Sequence, residues 1–357
     1  MFRSLRITGF RDIERLNVER LARVNLFVGG NNSGKTSLLE AVEILLGRGD
    51  VHSLVAGSLR RDETMDVHQD GRKAVAVRHL FHGHELEVRR TVVIQGDQGD
   101  ELSVRIQVAP QSVMDLAIQD EARGPDLRVL AIAEGRERHS THFLTSEGNL
   151  TYTPALRLRD SRTREIKGGF NFITTAGAGL GQLLQLWDEV VLSPDEALVL
   201  DALRIIEPRI ARIAAVDREV SSGAFMSLMH GSRARTPLGS MGDGIRRLLA
   251  LAIYLVRSAG GTLLIDEIDT GLHHSVMVQM WKLVVETAAR LDVQVFATTH
   301  SMDCVAALAT LSEDEPALKP AVLLHRVEKH REATVIYSAD ELAEAASAGI
   351  EMRGVRG

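Results

Sequence analysis

The stretch Gly29-Gly30-Asn31-Asn32-Ser33-Gly34-Lys35-Thr36 limits what this chain can fold into more than any other feature. It has the spacing G-x-x-x-x-G-K-[ST]. The apolar pentapeptide before it, 24–28 (Val-Asn-Leu-Phe-Val), is too short and too β-branched for a helix and reads as a buried strand. After it, Leu38, Leu39, Val42, Leu45 and Leu46 recur at helical spacing, and Gly47 is placed to stop the helix. Strand, glycine-rich turn and helix is the context in which backbone N–H groups curl around a diphosphate, with the helix N-terminus adding partial positive charge. Lys35 is then positioned for the β- and γ-phosphates, and the Thr36 hydroxyl for Mg²⁺. The candidate nucleotide-binding residues are Gly29, Gly30, Asn31, Asn32, Ser33, Gly34, Lys35, Thr36 and Ser37.

A second set lies far along the chain. The apolar residues 262–265 end in Asp266-Glu267. A carboxylate at a strand end can hold Mg²⁺, and the next can activate the attacking water. Read alone, the pair is also what a strand end meeting solvent looks like. The next apolar strand, 293–297, ends Thr298-Thr299-His300-Ser301, which sets His300 at the C-terminal edge of a parallel sheet, where ligands gather in α/β folds. There it could hydrogen-bond a γ-phosphate and orient the attacking water. Before both stands Ser240-Met241-Gly242-Asp243-Gly244, leading into an apolar helix over 248–256. A serine and glycines at a helix entrance make either a second anion cradle or an ordinary N-terminal cap.

Taken in order, GGNNSGKT, SMGDG, LLIDEIDTGLHH and TTHS resemble the ABC-type ATPase heads of the SMC, RecF and OLD (overcoming lysogenization defect) groups, the OLD-like branch most of all. The opening 4–47 is similar to that group's usual start. The resemblance implies an α/β P-loop NTPase, an ABC-ATPase-like head with a mixed β-sheet core, a β-rich insertion and a helical lobe. It also implies ATP and Mg²⁺, with Glu267 as general base, His300 as γ-phosphate sensor, and Lys35, Thr36 and Asp266 on phosphate and metal. Two heads would bind head-to-tail around two ATP molecules. Ser240 and Gly242 would then reach the partner's γ-phosphate, Asp269 would lie in the loop that crosses the interface, and Arg11 would lie near the nucleotide. The usual signature is Ser-Gly-Gly, and here Met241 replaces its first glycine. Gln182 is the candidate for the Q-loop glutamine.

The resemblance suggests an ATP-gated homodimer acting on DNA, or with a separate nuclease or toxin subunit, in phage defence or genome maintenance. A low-turnover regulatory module and a transporter ATPase subunit are the alternatives. OLD nucleases carry a C-terminal Toprim domain, and the residues after His300 leave no room for one. They read instead as a hairpin and a closing helix near 339–349.

Composition narrows the setting. At 357 residues and 45% hydrophobic content the chain can bury a large core. No uncharged apolar run approaches the roughly 18 residues of a membrane span, and the N-terminus lacks a signal-type apolar segment. One cysteine, Cys304, excludes an internal disulfide and a Cys-based zinc site. These features predict a cytoplasmic chain that does not engage a membrane. A net charge of −6 gives no global attraction to nucleic acid, so any DNA contact falls to a local patch such as Arg157–Lys167.

The predicted organisation has an ATPase core of 1–50 and 240–357 with a sheet strand in 165–175. A β-rich insertion fills 51–164, where 71–154 alternates in the manner of strands. A helical lobe occupies 176–239. Within it, Leu203, Ile206, Ile210, Ile213 and Val216 predict one helix over 195–218. His79, His82 and His84 straddle a turn at Gly83 and read as solvated turn residues rather than metal ligands.

Overall fold

The structure is a computed structural model that describes residues 1–67, 72–110, 123–152, 169–218, 221–231, 234–241 and 244–352. The basic run Arg157–Lys167 and Gly242 lie outside the described residues. The chain forms two compact units. One comprises Met1–Leu21, Asn31–Ile166 and Val327–Val335, and the other Ala22–Gly30, Lys167–Arg326 and Ile336–Gly357.

The second unit is built on a 6-stranded sheet in the order Phe170–Ile173, Thr262–Ile265, Gln294–Thr299, Val24–Val28, Val322–Arg326, Val335–Ser338. From Phe170–Ile173 through Val322–Arg326 every pairing is parallel. A parallel sheet is covered on both faces, so its strands read as continuous apolar runs. All of Val24–Val28 is accordingly buried. Val24, Leu26 and Val28 join the main core, and on the opposite face the Phe27 ring stacks on His325 at 4.8 Å. The polar exception, Asn25, accepts from the Ala22 N–H at 2.8 Å and donates to the Ala22 carbonyl at 2.8 Å.

Helices pack on this sheet. Gly244–Arg257 is apolar all round over Leu248–Val256, and each of those residues is buried, as expected of a core helix. Trp281, on Met277–Arg290, is fully buried and donates its indole N–H to the Cys304 carbonyl at 2.9 Å. The closing helix, Ala339–Ser347, starts with a capping box between Ser338 and Glu341.

The single helix predicted over 195–218 is not what forms. Pro194–Arg204 is helical, and Ile210–Arg218 is a strand paired antiparallel with Ser221–Met229. Two physical causes explain the difference. Pro208 cannot donate in a helix and disfavours helical backbone at Glu207. A register shift between Ile210 and Arg212 then turns both Ile210 and Ile213 inward. A β-bulge thus produces the three-residue spacing that mimics a helical face. The lobe predicted as helical therefore also carries a 3-stranded sheet, completed by Arg235–Pro237.

The first unit holds a 9-stranded sheet. The N-terminal strand Ser4–Phe10 pairs with Ile13–Val18 on one side and with Thr91–Asp97 on the other. The sheet thus runs straight across the boundary predicted at residue 50, because a pairing over some ninety positions has no local sequence signal. Residues 77–84 form short 3₁₀ turns between strands. Helices Lys35–Leu46 and Val51–Arg60 belong to this unit, and the first packs on Ser4–Phe10, Thr91–Asp97 and Glu101–Ala109. Gly96 makes that approach possible, since a Cβ there would sit 2.4 Å from the Phe2 ring and 3.0 Å from Leu45. No helix among the described residues is long and apolar enough to cross a membrane.

Candidate functional site

Parallel pairing aligns the chain positions that matter in the second unit. Ile265 is in register with Ala297, Ala297 with Leu26, and Thr299 with Val28. The residues that follow these strand ends are Asp266-Glu267, His300 and Gly29-Gly30, so one edge of one sheet carries all of them. This is the edge at which α/β folds bind ligands.

Hydrogen bonds lock the acidic pair to the neighbouring strand. Thr298 Oγ1 donates to Asp266 Oδ1 at 2.7 Å and accepts from the Glu267 N–H at 2.9 Å. The Ile268 N–H donates to the Thr298 carbonyl at 3.0 Å. Glu267 has φ +48°, a left-handed backbone that costs a non-glycine residue energy and needs surrounding bonds to hold it. Its carboxylate accepts at Oε2 from the His300 N–H at 3.2 Å and meets His300 Nδ1 at 2.6 Å. The Glu267 side chain is 17% exposed and that of His300 62% exposed, so the pair reaches solvent from a largely buried base. Asp269 accepts from the Thr299 hydroxyl.

The phosphate-loop residues from Asn31 onward belong to the first unit. Asn32 (φ +58°) and Gly34 (φ +94°) both adopt left-handed backbone, which is how successive N–H groups turn toward one centre. Helix Lys35–Leu46 begins directly after Gly34, with no side-chain cap and no acidic residue in its first turn, so its own sequence leaves the positive end unneutralised. Ser33 Oγ is buried without a hydrogen-bond partner. An orphaned hydroxyl inside a loop of this curvature fits an anionic ligand with oxygen acceptors. Hydroxyl and carboxylate oxygens, as on Thr36 and Asp266, are the hard donors that Mg²⁺ takes. Lys35 is 7% exposed, and the Ser37 hydroxyl donates to Asp12 at 3.4 Å.

Other predicted residues have different surroundings. Arg11 is buried, and its guanidinium meets Glu40 at 2.8 Å, Glu63 at 3.2 Å and the Ser58 hydroxyl at 3.4 Å. Arg61 meets the same Glu40 at 3.0 Å. Arg11 is thus a tie between the N-terminal hairpin and the helix that follows the phosphate loop. Next to it, burial raises the Glu43 carboxyl above its ordinary range, and pairing with Arg60 opposes the rise. Ser240 is exposed and donates to the Pro237 carbonyl at 2.7 Å. Gln182 donates to the Tyr254 hydroxyl at 3.0 Å. His82 bonds the Arg11 carbonyl at 2.9 Å, and His79 and His84 face each other at 3.3 Å.

Two residues of the site gain a role only from the structure. Thr298 is one; it stands in the TTHS phrase as a polar side chain at the end of an otherwise apolar buried strand, with no partner readable from the sequence. Arg247 is the other. It donates to the Glu267 carbonyl at 3.3 Å from the first turn of Gly244–Arg257. Burial pushes its guanidinium pKa down, and nearby Asp269 offsets part of that.

Parallel strands, a glycine-rich turn into a helix, and an acid pair at the same sheet edge as a histidine define a P-loop ATPase. The chain belongs to the family described as "AAA domain, putative AbiEii toxin, Type IV TA system", whose model matches residues 119–305. A second model, described as "AAA ATPase domain", matches residues 1–106. An ATP/GTP phosphatase of Helicobacter pylori is 22% identical over 336 residues, covering 85% of this chain and 86% of that protein. The DNA replication and repair protein RecF of Shewanella denitrificans is 28% identical over 174 residues, 46% of either chain. Among solved structures, an SMC head domain from Thermotoga maritima aligns with a TM-score of 0.46 at 14% identity, covering 94% of this chain and 98% of that one. The chain is an ATP-hydrolysing enzyme.

Proposed function

We propose that this ATPase is an OLD-like, ABC-type head whose ATP cycle opens and closes a homodimer. Lys35 and the loop Gly29–Ser37 take the phosphates, and Thr36 and Asp266 take Mg²⁺, which supplies charge neutralisation at the phosphates when bound. Glu267 removes a proton from the attacking water as the water oxygen joins the γ-phosphorus and the bond to ADP breaks. His300 orients that water and the γ-phosphate. Ser240, Gly242 and Asp269 act across the dimer.

The observation that carries this reading is the hold on Glu267. Its backbone N–H is bonded by Thr298 and its carboxylate by His300, so two neighbours fix the base in one orientation. The homodimer rests on resemblance, as do DNA and a separate nuclease or toxin subunit as partners. A role in phage defence or genome maintenance rests on the same resemblance, and the family's description, which names a putative toxin of a type IV TA system, supports a link to a toxin.

Glu267→Gln tests the cycle as a whole. With ATP and Mg²⁺ the variant should sediment as a stable dimer while the wild type returns to monomer. A Glu267→Gln protein that stays monomeric at saturating ATP overturns the gating. Phosphate release measured with and without duplex DNA tests the nucleic-acid partner; equal rates argue against it.

A further inference from the structure

We infer that the Thr298 hydroxyl is a positioning group that sets the metal-holding and water-activating acids in one fixed relation. The inference rests on the roles just proposed for Asp266 and Glu267.

A hydroxyl has one hydrogen to give and lone pairs to accept with. Thr298 is fully buried at the end of Gln294–Thr299. The Glu267 N–H, 2.9 Å away, has a proton to donate, so Oγ1 must accept there. Its own hydrogen is therefore committed to Asp266 Oδ1 at 2.7 Å. The direction of both bonds is fixed: the hydroxyl donates to Asp266 and holds the peptide N–H of Glu267. Oδ1 is pinned, and with it the rotation of the carboxylate about its Cβ–Cγ bond.

The same hydroxyl stabilises a backbone that resists its own conformation. Glu267 sits at φ +48°, and its N–H would be left without a partner in a buried strand end if Oγ1 were removed. The Thr298 carbonyl accepts from the Ile268 N–H at 3.0 Å, so residues 266, 267 and 268 are all tied to this one residue. The pattern repeats one step on, where the Thr299 hydroxyl serves Asp269 and accepts from the Ser301 N–H at 3.0 Å. Thr298 acts through the two acids rather than on phosphate or water.

Valine matches threonine in shape without the hydroxyl, and serine keeps the hydroxyl without the methyl. Thr298→Val should lower kcat by about tenfold to a hundredfold, the worth of a lost bond to a charged group plus an orphaned N–H. A second readout does not depend on turnover: the affinity gain that Mg²⁺ gives a fluorescent ATP analogue at equilibrium. That gain should shrink by about tenfold in Thr298→Val and stay within about threefold of wild type in Thr298→Ser. Thermal melting of the nucleotide-free proteins reads folding separately, and Thr298→Ala supplies the same comparison if the valine variant does not fold. A Thr298→Val or Thr298→Ala protein with the wild-type Mg²⁺ gain overturns the inference, and so does a serine variant as defective as valine. Glu267→Gln separates the two levels. Wild-type turnover in that variant removes the base assignment whatever Thr298 does. An inactive Glu267→Gln beside a normal Thr298→Val removes only the positioning role.

Discussion

His300 Nδ1 lies 2.6 Å from Glu267 Oε2, and the His300 backbone N–H donates to the same oxygen at 3.2 Å. One carboxylate oxygen thus receives two groups from the end of the adjacent strand. The contact pre-orients the acid, and the 62% exposure of the imidazole leaves it able to turn toward a phosphate.

Replacing His300 with alanine removes the imidazole and keeps the backbone bond. Turnover should fall by about tenfold to a hundredfold, in the range expected for a lost charge-assisted contact, while ATP affinity changes little. Steady-state phosphate release with nucleotide titration checks the split. A loss of affinity with turnover unchanged would move His300 from the chemical step to ground-state binding.

Arg11 is tied to Glu40, Glu63 and Ser58, so its loss is expected to register in stability. Arg11→Ala leaves Glu40, 2% exposed, with Arg61 as its remaining cation, and should cost about 3 kcal/mol by chemical denaturation. Arg11→Lys should recover little, because an ammonium cannot match a forked guanidinium across separate partners. An unchanged denaturation midpoint in Arg11→Ala would contradict the tie.

Glu43 gives a pH test with a definite sign. Burial is the main cause of its raised pKa, with Arg60 opposing, so the folded state binds this proton more readily than the unfolded chain does. The penalty is full only above the raised folded pKa. It shrinks as pH falls through the raised folded pKa and is gone below the ordinary value of 4.5. Glu43→Gln should therefore melt at or above wild type at pH 7.5, with the difference closing toward pH 4.5. A difference that widens on acidification would reverse the assigned sign.

Local chemistry made much of the architecture readable. Residues 24–46 announce strand, turn and helix because period, glycines and the stop at Gly47 agree within one short window. The acid pair and His300 were readable as strand ends for the same reason. The strand that leads to His300 runs to Thr299 rather than stopping at Ala297, since its threonines satisfy their hydroxyls on Asp266 and Asp269 instead of meeting solvent. Where sequence reading failed, long-range or irregular pairing decided. The bulge at Ile210–Arg212 imitated a helical face. The pairing of Ser4–Phe10 with Thr91–Asp97 moved the N-terminus into the large sheet. Nothing near Arg11 in sequence points to Glu40 or Glu63.

The proposed role of Glu267 as the base is read out by phosphate release from Glu267→Gln at saturating ATP and Mg²⁺. Gln keeps the shape and loses the proton acceptor. Turnover should fall by about a hundredfold to ten-thousandfold, with ATP binding retained. Hydrolysis at the wild-type rate would contradict that role.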